Sequence, residues 1–399
     1  MDPFLLASWA RSRGTLHGWR RRRVAWALDV TDPGRPVLVA QDWTRPVPYT
    51  RRSSAVAPRP AVDNAAYVAG RHRGAWGEMM RTATEGSSHP AATALMSALG
   101  AGALEAVGIT GTVPAGDLIA VRAHGQWLHE DPVLIDAWDA HLAASLASAE
   151  TDVCLCCGDT GRLARIVPAA LAPTVFGQRG AGDLVLYPTP RTDKGRSAAA
   201  RTGAGRTASL MCVGCAMDVA AALTDLAEDP AHHYCIPESG SLLLWWDPSG
   251  KPSLPLRDLL VRNDPDPAPL YRKGGRLCAM MLSAASPGRL TMNAFWNEPV
   301  SIMAQRIRQW RSATAIPAGE NVRNYGLPLL HHQLGRWDRR AKTIVPRPFQ
   351  RLRERELWIA VLSGLPPRQH SLAAKEAIRR DGQELLGRQA LVRAGHPPG

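Results

Sequence analysis

Lysine is almost missing from this chain: Lys194, Lys251, Lys273, Lys342 and Lys375 are the only ones in 399 residues. Long apolar runs are missing too. The best, SLLLWW at 241–246, is far too short to cross a bilayer and reads as a strand. The opening residues MDPFLLASWARSRG hold only a brief apolar run, so no secretory leader is expected, and the expected location is a reducing cytoplasm without a disulfide framework. No H-E-x-x-H or Walker sequence occurs, and GAGRT (203–207) lacks the Gly-Lys-Ser/Thr ending of a phosphate loop. A zinc deaminase is excluded by pattern: His129 is followed directly by Glu130, and neither Cys-x-x-Cys pair follows a proline. The adjacent pairs His232-His233 and His331-His332 have no matching acidic cluster and read as surface or loop histidines. No enzymatic activity is expected, and no internal repeat is visible.

What the chain has in excess is arginine. Lysine and arginine total 48 against 35 acidic residues, a net charge of +13 and a pI near 10.0. Base composition can favour arginine over lysine, but it does not explain basic over acidic. A polyanionic partner follows, most simply nucleic acid, for which the planar guanidinium suits phosphate and guanine edges.

Two Cys-x-x-Cys pairs, Cys154/Cys157 and Cys212/Cys215, form a ligand set for one structural Zn ion. Four thiolates satisfy tetrahedral zinc and leave no open position for catalysis. The spacer is longer than in small zinc ribbons, Cys156 is a spare sulfur inside the first pair, and buried free thiols are the alternative. Cys235 and Cys278 read as ordinary core residues.

Along the chain, Arg20–Arg23 run into an alternating strand, 24–30, followed by a proline-rich link, RPVPYTRRSSAVAPRP (45–60). Residues 75–108 show helical spacing. Residues 117–128 predict a hairpin turning at His-Gly, and a helix follows with Asp131 as N-cap and Pro132 in its first turn. A strand over 183–187 precedes a flexible basic stretch. A helix is predicted over 217–229, after the second cysteine pair, then strand 241–246. Residues 247–270, rich in Pro and Asp, read as a linker or long loop. Strand 289–296, helix 301–312 and a basic, largely helical remainder complete an α+β chain. Its sheets are mixed, its cysteine site is zinc-ribbon-like, and its C-terminal region is mostly helical. The expected domains are 1–150, 151–300 and 301–399.

Several ordered stretches resemble one family, the large subunit of type I-C CRISPR interference (Cascade) complexes. They are RRSSAVAPRPAVDNAAYVAG (51–70), DLIAVRAHGQWLHEDPVLIDAW (117–138), CLCCGDTGRLARIVP (154–168), MDVAAALTDLAEDPAHHYCIPESGSLLLWW (217–246), AMMLSAASPGRLTMNAFW (279–296) and LWIAVLSGLPPRQHSLAAKEAIRRDG (357–382). The family usually carries one cysteine where this chain has Cys154/Cys157, so the resemblance does not supply the zinc site. The family also continues beyond the IRRDG segment, which suggests a compact, C-terminally shortened variant served by a separate small subunit. A type IV-like large subunit of a minimal CRISPR complex is an alternative, as is a standalone zinc-dependent DNA-binding regulator.

The resemblance implies a non-enzymatic subunit. It would bind the guide RNA, inspect target double-stranded DNA for the adjacent motif (PAM), aid unwinding and R-loop formation, and join CRISPR backbone subunits and a separate helicase-nuclease, with no membrane involved. The Asp-Asn segment makes Asn64 the expected base-edge reader, with Arg51, Arg52 and Ser53 on phosphate or base; the plain alternative for Asn64 is a turn residue capping its own backbone. Arg20, Arg21, Arg22 and Arg23 are expected on the RNA 5′ handle or DNA phosphates, or else form a solvated face. Arg191, Lys194, Arg196, Arg201 and Arg206 are expected to track a displaced or target strand, or else form a surface loop. Trp245, Trp246 and Trp296 read as core and not as stacking platforms.

Overall fold

Arg20–Arg23 do not precede a strand; they form its first half. In the computed structural model, strand β1 (Trp19–Asp29) carries all four and pairs antiparallel with β2 (Val37–Pro48). The structure describes residues 3–49, 56–165, 167–168, 170–177, 184–186, 211–236, 239–271, 274–286, 289–318, 321–345, 350–383 and 385–395. Contacts gather the chain into two compact units. One is Thr15–Pro168 with Pro188–Ala221; the other is Met1–Gly14 with Ala169–Tyr187 and Ala222–Gly399. The expected central span 151–300 is divided between them.

In the unit built on Thr15–Pro168, β3 (Val62–Asn64), β4 (Leu118–Ala123) and β5 (Gln126–Trp127) complete a five-stranded sheet of order β2-β1-β4-β3, with β5 added on β4. β1 and β4 run parallel and the other pairs antiparallel, so the sheet is mixed. The expected proline-rich link thus begins as strand: Pro46 and Pro48 belong to β2. This is possible because β2 is the outer strand in the sheet order, where a missing N–H breaks no ladder. The expected hairpin at 117–128 is present. His124 (φ +50°) and Gly125 (φ +78°) both adopt the left-handed geometry that a tight two-residue turn needs.

The helical stretch 75–108 is broken. Helix Arg73–Ala83 stops before Gly86 (φ +76°), helix Pro90–Gly100 restarts behind His89, whose ring accepts from Ala91 N–H, and a short 3₁₀ turn follows at Ala103–Val107. Helix Pro132–Leu146 starts as expected, with Asp131 accepting from Val133 N–H at 3.1 Å. Val24, Leu28, Ile119 and Val121 from the sheet meet Trp76, Met80 and Leu95 from the helices in one core. A separate hairpin, β6 (Ala147–Val153) with β7 (Thr160–Ala164), carries the first cysteine pair at its tip.

The other unit is built on a second mixed sheet. Its strands are β8 (Ala170–Leu171), β9 (Leu184–Leu186), β10 (His233–Ile236), β11 (Ser241–Trp246), β12 (Arg276–Ser286) and β13 (Arg289–Pro299), in the order β10-β11-β12-β13-β9-β8. Every residue of β11 is buried, which explains its unbroken apolar sequence. Trp245, Trp246 and Trp296 are core, as expected. Two small hairpins follow, β14 (Ile316–Ala318) with β15 (Asn321–Arg323) and β16 (Arg336–Asp338) with β17 (Thr343–Val345). Helices Val300–Thr314, Gln350–Ser363, Arg368–Asp381 and Leu386–Ala394 make the C-terminal region mostly helical.

Residues 247–270 are not a linker. Helix Leu256–Val261 and a 3₁₀ turn at Ala268–Tyr271 bury Leu254, Leu256, Leu259, Leu260 and Leu270 in the core. The apolar spacing of LPLRDLL outweighs the flanking Pro and Asp. Among the described residues no single helix is long and apolar enough to cross a membrane.

Candidate metal centre and nucleic-acid face

The first cysteine pair is shaped by a tight turn. Gly158 N–H donates to the Cys154 carbonyl at 2.8 Å, Cys154 N–H donates to the Asp159 carbonyl at 2.9 Å, and Gly158 takes φ +82°, where a side chain would strain. The second pair arrives from the far side of the hairpin. Leu163 bridges Cys212, and Ala164 N–H donates to the Met211 carbonyl at 2.9 Å. The helix begins at Val213, earlier than the expected 217, so Cys215 stands in its first turn. Cysteine is a modest helix former, and its spacing gives no start signal.

The four sulfurs of Cys154, Cys157, Cys212 and Cys215 lie within 4.8 Å of one another, with Cys157 and Cys212 at 4.0 Å. A tetrahedral four-thiolate zinc, with bonds of about 2.3 Å, sets its sulfurs about 3.8 Å apart. The donor set therefore fits one metal ion in size and in kind. Backbone amides point at the site: the N–H groups of Cys156 and Cys212 donate to Cys154 Sγ at 3.3 and 3.2 Å. Burial disfavours the Cys154 thiolate, but amides from Cys157, Cys212 and Cys156 outweigh it and bring the thiol down to about 6. Cys157 is drawn down by the Asp159 amide, yet burial and its neighbours carry it up to about 11. Burial, then the thiols of Cys156 and Cys212, pushes Cys215 well above the ordinary thiol range. One sulfur ionises readily and a cation in the cluster would stabilise the other thiolates. None of the seven cysteines forms a disulfide.

The arginines of β1 are not equivalent. Arg20 is buried while Arg21, Arg22 and Arg23 are exposed. Arg23 donates to Asp42 at 2.7 Å. Arg20, Arg59 and Arg22 gather on the ring of Tyr49, at 4.1, 4.8 and 5.8 Å from its centre. Tyr49 and Arg59 had no signal in the sequence, because only the register of β1 with β2 and the return of the chain at 56–61 bring them to Arg20. Asn64 ends β3. Its N–H donates to Asp63 Oδ1 at 2.8 Å, but its side chain makes no capping bond to helix Ala65–Val68. Its Oδ1 is buried and meets no partner among the described residues. The expected contacts Arg51, Arg52, Ser53, Arg191, Lys194, Arg196, Arg201 and Arg206 lie outside the described residues.

One histidine escaped the sequence reading and another was misplaced by it. His17 is held between two carboxylates, Nδ1 to Asp139 at 2.8 Å and Nε2 to Asp218 at 2.9 Å, and these, Asp139 first, raise it to about 9. His331 is not on the surface: it is 2% exposed in helix Leu327–His332, and neither ring nitrogen has a partner among the described residues.

A family model described as "CRISPR-associated protein (Cas_Csd1)" matches residues 11–396. No curated protein matches the chain.

Proposed function

The chain belongs to the Cas_Csd1 family of CRISPR-associated proteins, and on that premise we propose that it is the large subunit of an RNA-guided surveillance complex of type I-C. In this reading it performs no catalysis. It binds the 5′ handle of a guide RNA, reads the PAM in target double-stranded DNA, aids unwinding and R-loop formation, and helps recruit a separate helicase-nuclease, in company with backbone subunits and a separate small subunit. Base pairing with the guide reads the sequence, and the protein reads the motif and the backbone. The cysteine cluster holds zinc as a structural clamp. The metal would fix the β6–β7 turn to the helix that starts at Val213 and supply no reaction.

The observation that supports motif reading is Asn64. Its amide oxygen, buried and without a partner among the described residues, is costly unless something satisfies it. Asn pairs in bidentate fashion with adenine edges in the major groove. Arg51, Arg52 and Ser53 would supply phosphate or base contacts around it, and Arg20 to Arg23 would meet the RNA 5′ handle. The test is duplex binding by the complex assembled with guide RNA and backbone subunits. Asn64→Ala is expected to weaken binding to motif-bearing duplex by about 1–3 kcal/mol while sparing guide-complementary single strands. Equal duplex binding by variant and parent would remove Asn64 from this role. The four-sulfur cluster favours one second reading, a type IV-like large subunit, since the family's usual pattern has a single cysteine at the first pair.

A further inference from the structure

We infer that Arg22, Arg45 and Trp43, on one face of the β1–β2 ribbon, form a platform for single-stranded nucleic acid, with the arginines on phosphate and the indole beside a base. The inference rests on the reading of the chain as a nucleic-acid-binding subunit, and its test is separable from that of Asn64.

Register places the three residues together. Arg22 pairs with Arg45 across the ribbon, and two residues on Val24 pairs with Trp43, so all four side chains share one face. Directly opposed like charges destabilise a sheet pair. Arg45 is half-exposed and donates to Glu130 at 2.9 Å, whereas Arg22 is exposed and makes no ion pair among the described residues. An anion set between the two guanidiniums relieves that repulsion.

The pair lies between two ring clusters. On one side is Tyr49, with Arg20 and Arg59 stacked on it. On the other is Trp43, with Trp127 edge-on at 5.1 Å, His129 stacked at 5.6 Å, and the Arg45 guanidinium 5.4 Å from the ring centre. Trp43 and Trp127 pack against the core of their unit with part of each left exposed, in contrast to the fully buried Trp245 and Trp246. Cations alternating with rings match the alternation of phosphate and base along a strand. Stacking on a ring needs an unpaired base, so the platform fits single strands and not duplex. Strand alternation also splits the four-arginine run: Arg21 and Arg23 point to the opposite face, where Arg23 already holds Asp42.

The experiment is fluorescence anisotropy with the full chain and three probes of mixed sequence: single-stranded RNA, single-stranded DNA and duplex DNA. Arg22→Ala and Arg45→Ala are each expected to reduce the salt slope for a single strand by about 0.7. Trp43→Leu is expected to weaken single-strand binding about 5- to 150-fold with the slope unchanged, and Trp43→Tyr to restore most of it. Arg35→Ala, at the turn of the same ribbon, is expected to change neither. Loss on the RNA probe assigns the platform to the guide, and loss on the DNA probe assigns it to an opened target strand. Undiminished single-strand binding by a folded Trp43→Leu protein, or an equal loss on duplex, overturns the inference. So does a loss with Arg21→Ala as large as with Arg22→Ala. None of these outcomes bears on motif discrimination through Asn64, which is read on duplex alone.

Discussion

Asp381 accepts a hydrogen bond from Arg388 at 2.8 Å with both residues buried. The Arg388 guanidinium, fully enclosed, also donates to the carbonyls of Gln333, Gly335, Ala377 and Gln383. Asp381 in turn accepts from Arg380 at 2.7 Å and from Trp337 N–H at 3.1 Å. Arg380 above all, then the other donors, holds its carboxyl well below the usual carboxylate range against its own burial. The Asp of the IRRDG segment therefore pins three chain segments with one carboxylate.

Breaking that pair strands a buried charge. Asp381→Asn and Arg388→Met are each expected to lower unfolding free energy by about 3–5 kcal/mol, read as a shift in urea midpoint. The double variant is expected to lose less than the sum of the two.

The cysteine cluster is expected to carry about one zinc per chain, released when the thiols are modified. Cys154→Ser and Cys215→Ser should each abolish stoichiometric zinc and lower the thermal midpoint. Protein that is metal-free yet equally stable would contradict the zinc assignment.

Stability is expected to fall on both sides of neutrality. His129 and His331 are held neutral by burial, each down to about 4, with Arg45 adding to the effect at His129 and nearby His370 at His331. A base depressed on folding takes up protons on unfolding, so stability is lost as pH drops from about 6.5 to about 4. His17 has the opposite sign. Its contribution is complete below about 6.5 and is lost as pH rises toward about 9. Urea midpoints across pH should show both limbs, with His331→Leu flattening the acid limb and His17→Gln the alkaline one.

The basic segment around Arg196, Arg201 and Arg206 is expected to act without regard to sequence. Neutralising the three should reduce the salt slope of duplex binding by about 2 to 3 on every sequence tried. A loss confined to one sequence would contradict this.

Local chemistry was readable where it was self-contained. Asp131-Pro132 announced its helix, His124-Gly125 its turn, SLLLWW its buried strand, and four cysteines their cluster, because each signal needs only near neighbours. What failed depended on distance. The spacing of LPLRDLL competed with flanking Pro and Asp, and only the core decides that contest. Pro46 and Pro48 argue against a strand unless the strand is known to lie at an edge. Arg59 meets Tyr49 through a register no linear pattern encodes. His331 gives no sign of burial, since an adjacent His-His pair reads in sequence as surface or loop whichever of its rings is enclosed. Arg20 to Arg23 read as one charged run, yet alternation sends them to two faces.

The chain passes from one compact unit to the other after Gly14, after Pro168, after Tyr187 and after Ala221. Its order of synthesis is therefore not its order of completion. On the ribosome, the unit built on Thr15–Pro168 has all its residues once Ala221 emerges, whereas the first residues made must wait for the last to find their partners. A single proteolytic cut frees neither unit whole. A chain cut after residue 150 would leave both units with part of their sequence missing, whereas one cut after residue 300 would hold all of the unit built on Thr15–Pro168 and only part of the other, so the longer partial gene should yield the more soluble product.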